Sequence, residues 1–408
     1  MPAGSRVFLV FGFGYFLSYT LRTVNAVLAP DLVAAFDLAA SDLGLMTAVY
    51  FIAFAGMQLP LGLLLDRFGP RRVQGVLLLA AVAGALLFAG AGSREHLIIG
   101  RALIGIGVSA CLMAAMKASV LWFPRERLPL INGGILAFGG LGAMTSATPV
   151  EMLLPMVGWR GLFLLFAGLI LALVAALRLA VPERRGGRID ETLPAQLRGL
   201  RDMFASPFFW RLAPAFAVTQ GGFMAMIGLW AGGWLREAAA MERLTVSVHL
   251  SAMAAAMAAG FLLAGVTADR LSRRGVPPVL VALAGMGGFT VIEAALVLLP
   301  ATATAPLWTI ASFVGSFGTV TFAVVNQSVP VHLSARGTTS LNLLMFTAAF
   351  ALQYGFGAML DLWPLTSAAV HASEAYRAAL GAMVALQTAS LVWYWVAGLR
   401  RFQRRPAE

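Results

Sequence analysis

One cysteine, one lysine and four histidines stand in a chain of 408 residues, of which only 12% are charged. The single Cys111 excludes an intramolecular disulfide and reads as a small hydrophobe within an apolar run. The shortage of charge, against about 25% in an ordinary soluble domain, excludes water as the main surroundings of the surface. Catalytic patterns are missing as well. There is no HExxH, no cluster of acids, no Ser and His pair at motif spacing and no nucleotide-binding glycine loop, so nothing points to an enzyme or to a cofactor. Nor is there a basic stripe with interleaved aromatics, which removes nucleic acid as a partner.

What is present is apolar length. Hydrophobic residues make up 60% of the chain and the mean hydropathy is +0.85. Runs near the ~20 residues needed to cross ~30 Å of hydrocarbon fall at 6–28, 43–65, 73–92, 97–121, 130–156, 161–180, 207–234, 244–268, 277–299, 306–331, 339–363 and 377–399. The fold expected is an all-α membrane protein of twelve transmembrane helices. A repeat divides them. Gly62-Leu63-Leu64-Leu65-Asp66-Arg67-Phe68-Gly69-Pro70-Arg71-Arg72 returns in outline as Gly265-Val266-Thr267-Ala268-Asp269-Arg270-Leu271-Ser272-Arg273-Arg274. Asp66 and Asp269 are 203 positions apart, almost half the chain, which predicts two pseudo-symmetric six-helix bundles in parallel repeat. Their expected bounds are 1–180 and 207–408, the second ending in a short basic tail. The linker 181–206 is the one long polar segment, with an amphipathic helix expected near Leu193 to Phe204.

Arginine placement sets the orientation. With an even number of spans both termini share a side, and 21 arginines flank that side against 5 on the other. The termini are therefore expected in the cytoplasm, and the formal net charge of +11 reads as this bias and as contact with anionic lipid headgroups of the bilayer. The apolar run after Arg6 is too long for a secretory signal and contains Arg22, so it is counted as the first span.

Several local patterns resemble the major facilitator superfamily, and the resemblance covers essentially the whole chain. They are the two loop motifs above, Arg101-xxx-Gly105-x-Gly107, Trp122-Phe123-Pro124, the glycine-rich stretch from Gly133-Gly134 to Gly142, and Gly158-Trp159-Arg160. The resemblance implies a secondary active transporter working by alternating access, as symporter or antiporter, monomeric, in a bacterial inner membrane. It also implies that Asp66, Arg67, Arg71 and Arg72, with Asp269 and Arg270, latch the inner gate, Asp66 meeting a positive helix end of the other bundle, and that Arg101 links helices. Two departures are Pro70, where a basic residue is usual, and Ser272, where the second glycine is usual; a looser gate in the second half is expected.

Charges inside the apolar runs carry the functional expectation, because a charge at mid-bilayer costs roughly 3 kcal/mol or more. Arg22 shares one helical stripe with Tyr15, Ser18 and Asn25, no acid lies at the same depth, and its planar fork suits a carboxylate or a phosphate. Substrate is expected to supply the missing anion. Lys117 either snorkels to the inner interface or joins the site. In the second half Gln220, Trp230, Asn342 and Gln353 are expected to face the body of a small solute. A competing reading rests on His249, Met253 and Met257 at four-residue steps, ligand types that suit Cu(I) import. The coupling ion, a proton if there is one, has no obvious carrier: Glu151 and Glu293 sit toward outer helix ends. A membrane scaffold that transports nothing is the alternative of another class.

Overall fold

The computed structural model describes residues 3–124, 127–182, 193–328, 331–365 and 371–402. The linker stretch 183–192 and the basic tail 403–408 lie outside the described residues. The chain forms α1 (Ala3–Thr23), α2 (Asn25–Phe36), α3 (Ala40–Phe68), α4 (Pro70–Ala89), α5 (Arg94–Trp122), α6 (Leu128–Thr145) and α7 (Thr148–Ala180) in its first half. After α8 (Leu193–Ala205) come α9 (Pro207–Ala238), α10 (Arg243–Ser272), α11 (Pro278–Leu298), α12 (Ala305–Ser328), α13 (Val331–Leu360) and α14 (Ser373–Phe402). Among the described residues ten helices are long and apolar enough to cross a membrane; the bent pair α1–α2 makes an eleventh span, and the shorter apolar Leu130–Thr145 stretch of α6 stands where the twelfth is expected.

Of the spans that read as continuous in the sequence and are interrupted in the fold, three show a local reason. The first bends by 45° between α1 and α2, where the Thr20 and Thr23 hydroxyls donate back to the carbonyls of Phe16 and Tyr19 at 3.0 and 2.9 Å, a bond that bends helices. In the fifth, helix stops at Thr145 and restarts at Thr148, with Ala147 at φ −99° and ψ −104° outside the helical range, and Pro149, which has no N–H to bond back, lies in the first turn of the restarted helix. That span runs on to Val157, and Gly158, at φ 64° and ψ 170°, turns the chain into the sixth. Finally α9 widens into π-helical turns at Met226–Trp230 and Trp234–Ala238, around Gly228, Gly232 and Gly233.

Close helix contacts in the first half depend on small residues. A Cβ on Gly142 of α6 would stand 2.2 Å from the Phe16 carbonyl oxygen of α1, and the Thr20 hydroxyl donates to the Gly142 carbonyl at 3.0 Å. Between the halves, named contacts gather toward the end of the bundle opposite the N-terminus. There Arg243 of α10 pairs with Asp31 of α2 (Nη1 to Oδ1, 3.1 Å) and with Glu151 of α7 (Nε to Oε1, 2.6 Å). Asp361, just past α13, accepts from the amides of Ala40 and Ser41 at 2.9 Å each, capping the positive N-terminus of α3. Deeper in, Thr148 and Ser251 hydroxyls meet at 2.8 Å. The opposite end is thus closed across the halves, and the site lies beneath that closure.

Candidate functional site

Below the closed end, a cavity of about 300 Å³ lies between α1, α3, α5 and α6 on one side and α9, α10, α12 and α13 on the other. Tyr15, Ser18 and Arg22 line it from the straight part of α1, and Gln220 and Asn342 line it from the second half. Arg22 is the one charged side chain in the lining. Its guanidinium carbon lies 4.6 Å from the Tyr19 ring centroid, 5.1 Å from that of Phe54 and 5.7 Å from that of Phe346. Among the described residues it makes no ion pair, and its Nε has no hydrogen-bond partner. Aromatic faces hold the cation by their quadrupoles without using its N–H donors. Its Nε is left without a protein acceptor among the described residues.

The opposing wall is neutral. Gln220 is fixed by donating from Nε2 to the Gly315 carbonyl at 2.8 Å, which leaves its amide oxygen to accept. Gln58 of α3, Ser109 of α5 and Thr319 of α12 complete the polar part of the lining, and Phe54, Phe261, Phe322 and Phe346 supply apolar faces. Such a site can hold one negative charge at one end and a compact, partly apolar body at the other.

Other expected site residues lie elsewhere. Asn25 falls beyond the bend, on α2, where it is fully buried and donates to the Thr47 hydroxyl at 3.0 Å; the stripe read as continuous ends at the bend. Trp230 and Gln353 engage each other, the indole Nε1 donating to the Gln353 carbonyl at 3.1 Å, and Trp230 faces a separate vestibule of about 780 Å³ at the closed end. Lys117 does not reach the cavity. It snorkels toward the N-terminal side and forms an ion pair with Asp66.

That pair also changes the reading of the latch. In this conformation the Asp66 carboxylate pairs with Lys117 of its own half, and among the described residues it meets no helix end of the other. Arg71 donates to the Arg178 carbonyl at 2.5 Å, again within the half, Arg67 lies over the ring of Phe68 at 5.3 Å, and Arg72 is exposed. In the second motif Asp269 pairs with Arg273 at 3.1 Å, and Arg270 is exposed. The positive φ that Gly69 supplies in the first loop (80°) appears in the second at Gly275 (85°), past Ser272; the missing glycine is displaced along the chain. Arg101 is buried, donates to the Leu21 carbonyl at 2.6 Å and lies 4.8 Å from the Tyr50 centroid, holding α5 to α1 and α3.

The metal reading rested on His249, Met253 and Met257 of α10. Met253 and Met257 are buried core residues, Met253 packing near Thr23, Ala147 and Leu250, and no group of three His, Cys, Asp or Glu is assembled among the described residues. Tyr19, Phe54, Gln58, Ser109 and Thr319 escaped the sequence reading. Gln58 carried a signal, an amide inside an apolar run; the phenylalanines carried none.

The sequence profile of the Major Facilitator Superfamily matches residues 11–353. A Cupriavidus necator protein named as a probable sulfoacetate transporter is 31% identical over 150 residues, 37% of this chain and 35% of that protein. The hexuronate transporter of Escherichia coli K12 is 28% identical over 158 residues, 38% of this chain and 36% of that protein. The chain thus matches about a third of the length of these relatives. In fold it is similar to a bacterial homologue of the human lysosomal transporter Spinster, solved inward-facing and unoccupied, with a TM-score of 0.78, 19% identity and coverage of 100% and 99% of the two chains. With a profile match over most of its length and a matching fold, the chain belongs to the Major Facilitator Superfamily.

Proposed function

We propose that this protein is a secondary transporter that carries a small organic anion across a bacterial inner membrane by alternating access, with both termini in the cytoplasm. One observation carries the reading: Arg22 is the only charge lining a closed-ended central cavity, it is nearly buried at 6% exposure, and it makes no ion pair among the described residues. A cation left uncompensated at this depth is costly, and an anion entering the cavity removes that cost while gaining charge-assisted hydrogen bonds. Relatives named for sulfoacetate and hexuronate support an anionic group on an otherwise uncharged body. The neutral amides Gln220 and Asn342 suit that body.

The cross-half ion pairs at the far end and the intra-half pairs at the N-terminal side support an outward-closed state whose cavity exchanges with the cytoplasm. Accumulation by proteoliposomes of a panel of labelled anions, with sulfoacetate and glucuronate among them, tests the function. Uptake or counterflow of at least one anion, competed by other monoanions and untouched by neutral sugars, is expected. A protein that moves none of them, or that moves copper in their place, refutes it.

A further inference from the structure

The second half buries an acid that the anion site does not use. Glu293, on α11, is fully buried, and neither carboxylate oxygen has a hydrogen-bond partner. No Lys, Arg or His forms an ion pair with it among the described residues. Gln387 of α14 stands beside its carboxyl. Gln387 is itself fully buried; its Oε1 accepts from the Thr290 hydroxyl at 2.8 Å, while its Nε2 has no partner. This accounts for both ends of the amide. With its oxygen held by Thr290, one turn before Glu293, the free N–H donors are what remains to stabilise an ionised Glu293. A carboxylate without donors or a counter-charge is costly in such surroundings, which favours the protonated acid.

The trio is also in mechanical contact with the transport path. The Gln387 amide lies against α9 at Gly222, where an added Cβ would stand 2.8 Å from Nε2. Two residues earlier on the same helix is Gln220, in the cavity wall. Phe223 of α9 meets Phe289 of α11, one turn before Glu293, with ring centroids 5.5 Å apart. Just beyond, α9 enters its first π-helical turn at Met226, a wide turn that often marks a functional site and can shift register. A movement of α9 that closes the cavity around substrate therefore moves the backbone that presses on Gln387.

We propose that Glu293 is the binding site of the coupling proton, which makes the protein a proton-coupled carrier of the anion. The inference rests on the transport reading above. In the state described here the proton sits on a Glu293 oxygen; when α9 repacks, the Gln387 N–H donors reach the carboxyl, the proton leaves to water, and the carboxylate takes those donors. No other bond forms or breaks.

The experiment compares wild type with Glu293→Gln and Glu293→Asp in proteoliposomes, using labelled sulfoacetate and glucuronate, and adds infrared difference spectra of the same samples between acid and alkaline buffer. Glu293→Gln should lose the acceleration of uptake by a pH gradient while keeping anion counterflow, and Glu293→Asp should retain part of the acceleration. Wild type should show a protonated-carboxyl band that titrates and is missing from Glu293→Gln. An unchanged response to the gradient in Glu293→Gln would overturn the proposal, as would wild-type counterflow that ignores the gradient. Failure of wild type to exchange either anion would count against the transport reading; the band then decides alone, and a Glu293 proton that stays bound throughout would dismiss it as a coupling site.

Discussion

Replacing Arg22 by lysine keeps the charge and removes the geometry. The planar guanidinium lies against Tyr19, Phe54 and Phe346 and offers two parallel N–H groups to a carboxylate or sulfonate, whereas an ammonium is a point charge with no stacking face. Hydrogen bonds to charged groups contribute about 1.5–3 kcal/mol each, and a partly desolvated cation–π contact about 0.5–2 kcal/mol. Losing one of two such hydrogen bonds and part of the stacking should cost about 2–3 kcal/mol in anion binding, which at 1.4 kcal/mol per decade is about a 30- to 100-fold rise in Kd. Arg22→Ala should abolish anion binding at usable concentrations. The apo proteins provide a control, because a residue without an ion-pair partner can be removed without stranding another charge. Thermal unfolding in detergent should therefore be little changed by Arg22→Ala, while the stabilisation that excess anion gives the wild type disappears. Counterflow of sulfoacetate or glucuronate in Arg22→Ala within a few-fold of wild type would refute the assignment.

Removing Arg243 strands Asp31 and Glu151 beside each other; with the three side chains about a tenth to two-fifths exposed, Arg243→Ala should shift the outward-closed balance by about 1–2 kcal/mol. Labelling of a Ser18→Cys probe by an impermeant reagent from the far side should rise about tenfold. Gly142→Ala should lower the melting temperature by the equivalent of about 1–3 kcal/mol, because its Cβ would meet the Phe16 carbonyl, while Gly56→Ala, with nothing within 4 Å, should be neutral or slightly stabilising. For Asp66 and Lys117, each about a quarter exposed, a double-mutant cycle on thermal unfolding with Asp66→Asn and Lys117→Met should give a coupling of about 0.5–1 kcal/mol; zero coupling would mean that the pair contributes nothing to this state.

The number of spans, the repeat and the helix between the halves were legible because each depends on properties that are local and additive: apolar length, motif spacing and composition. Arg22 was legible for the same reason, being a charge where none should be. The geometry around it was not. Asn25 and Arg22 share a stripe on an unbroken helix, and only the Thr20 and Thr23 back-bonds, together with the packing they permit, turn Asn25 away toward Thr47. Trp230 and Gln353 look like cavity residues by periodicity, yet the Trp230 indole donates to the Gln353 main-chain carbonyl, a contact between helices 123 positions apart that no one-dimensional pattern reveals. Gln58 is the instructive omission. It lies in an apolar run as Arg22 does, and the rule that singles out the arginine, applied to neutral amides as well, finds it.

The placement of Asp66 bears on how the cycle runs. On the latch reading of the motif, the carboxylate gives up a cross-half partner when the inner gate opens and then needs a substitute at the membrane interface. Lys117 supplies one inside the same half. On that reading, the exchange of one favourable contact for another would keep the two end states within the few kcal/mol that substrate binding can tip, which a latch with nothing to fall back on would not. At the other end the arrangement is reversed: Arg243 holds Asp31 and Glu151 across the halves, and Asp361 caps α3 from the far bundle. Arg243 bonded to two carboxylates of the first half must give up both when the far gate opens. The two gates are thus built unequally, with an internal replacement on the N-terminal side and a direct charge clasp on the other. On the transport reading proposed above, that asymmetry weights the balance toward the arrangement described here, with the far side shut.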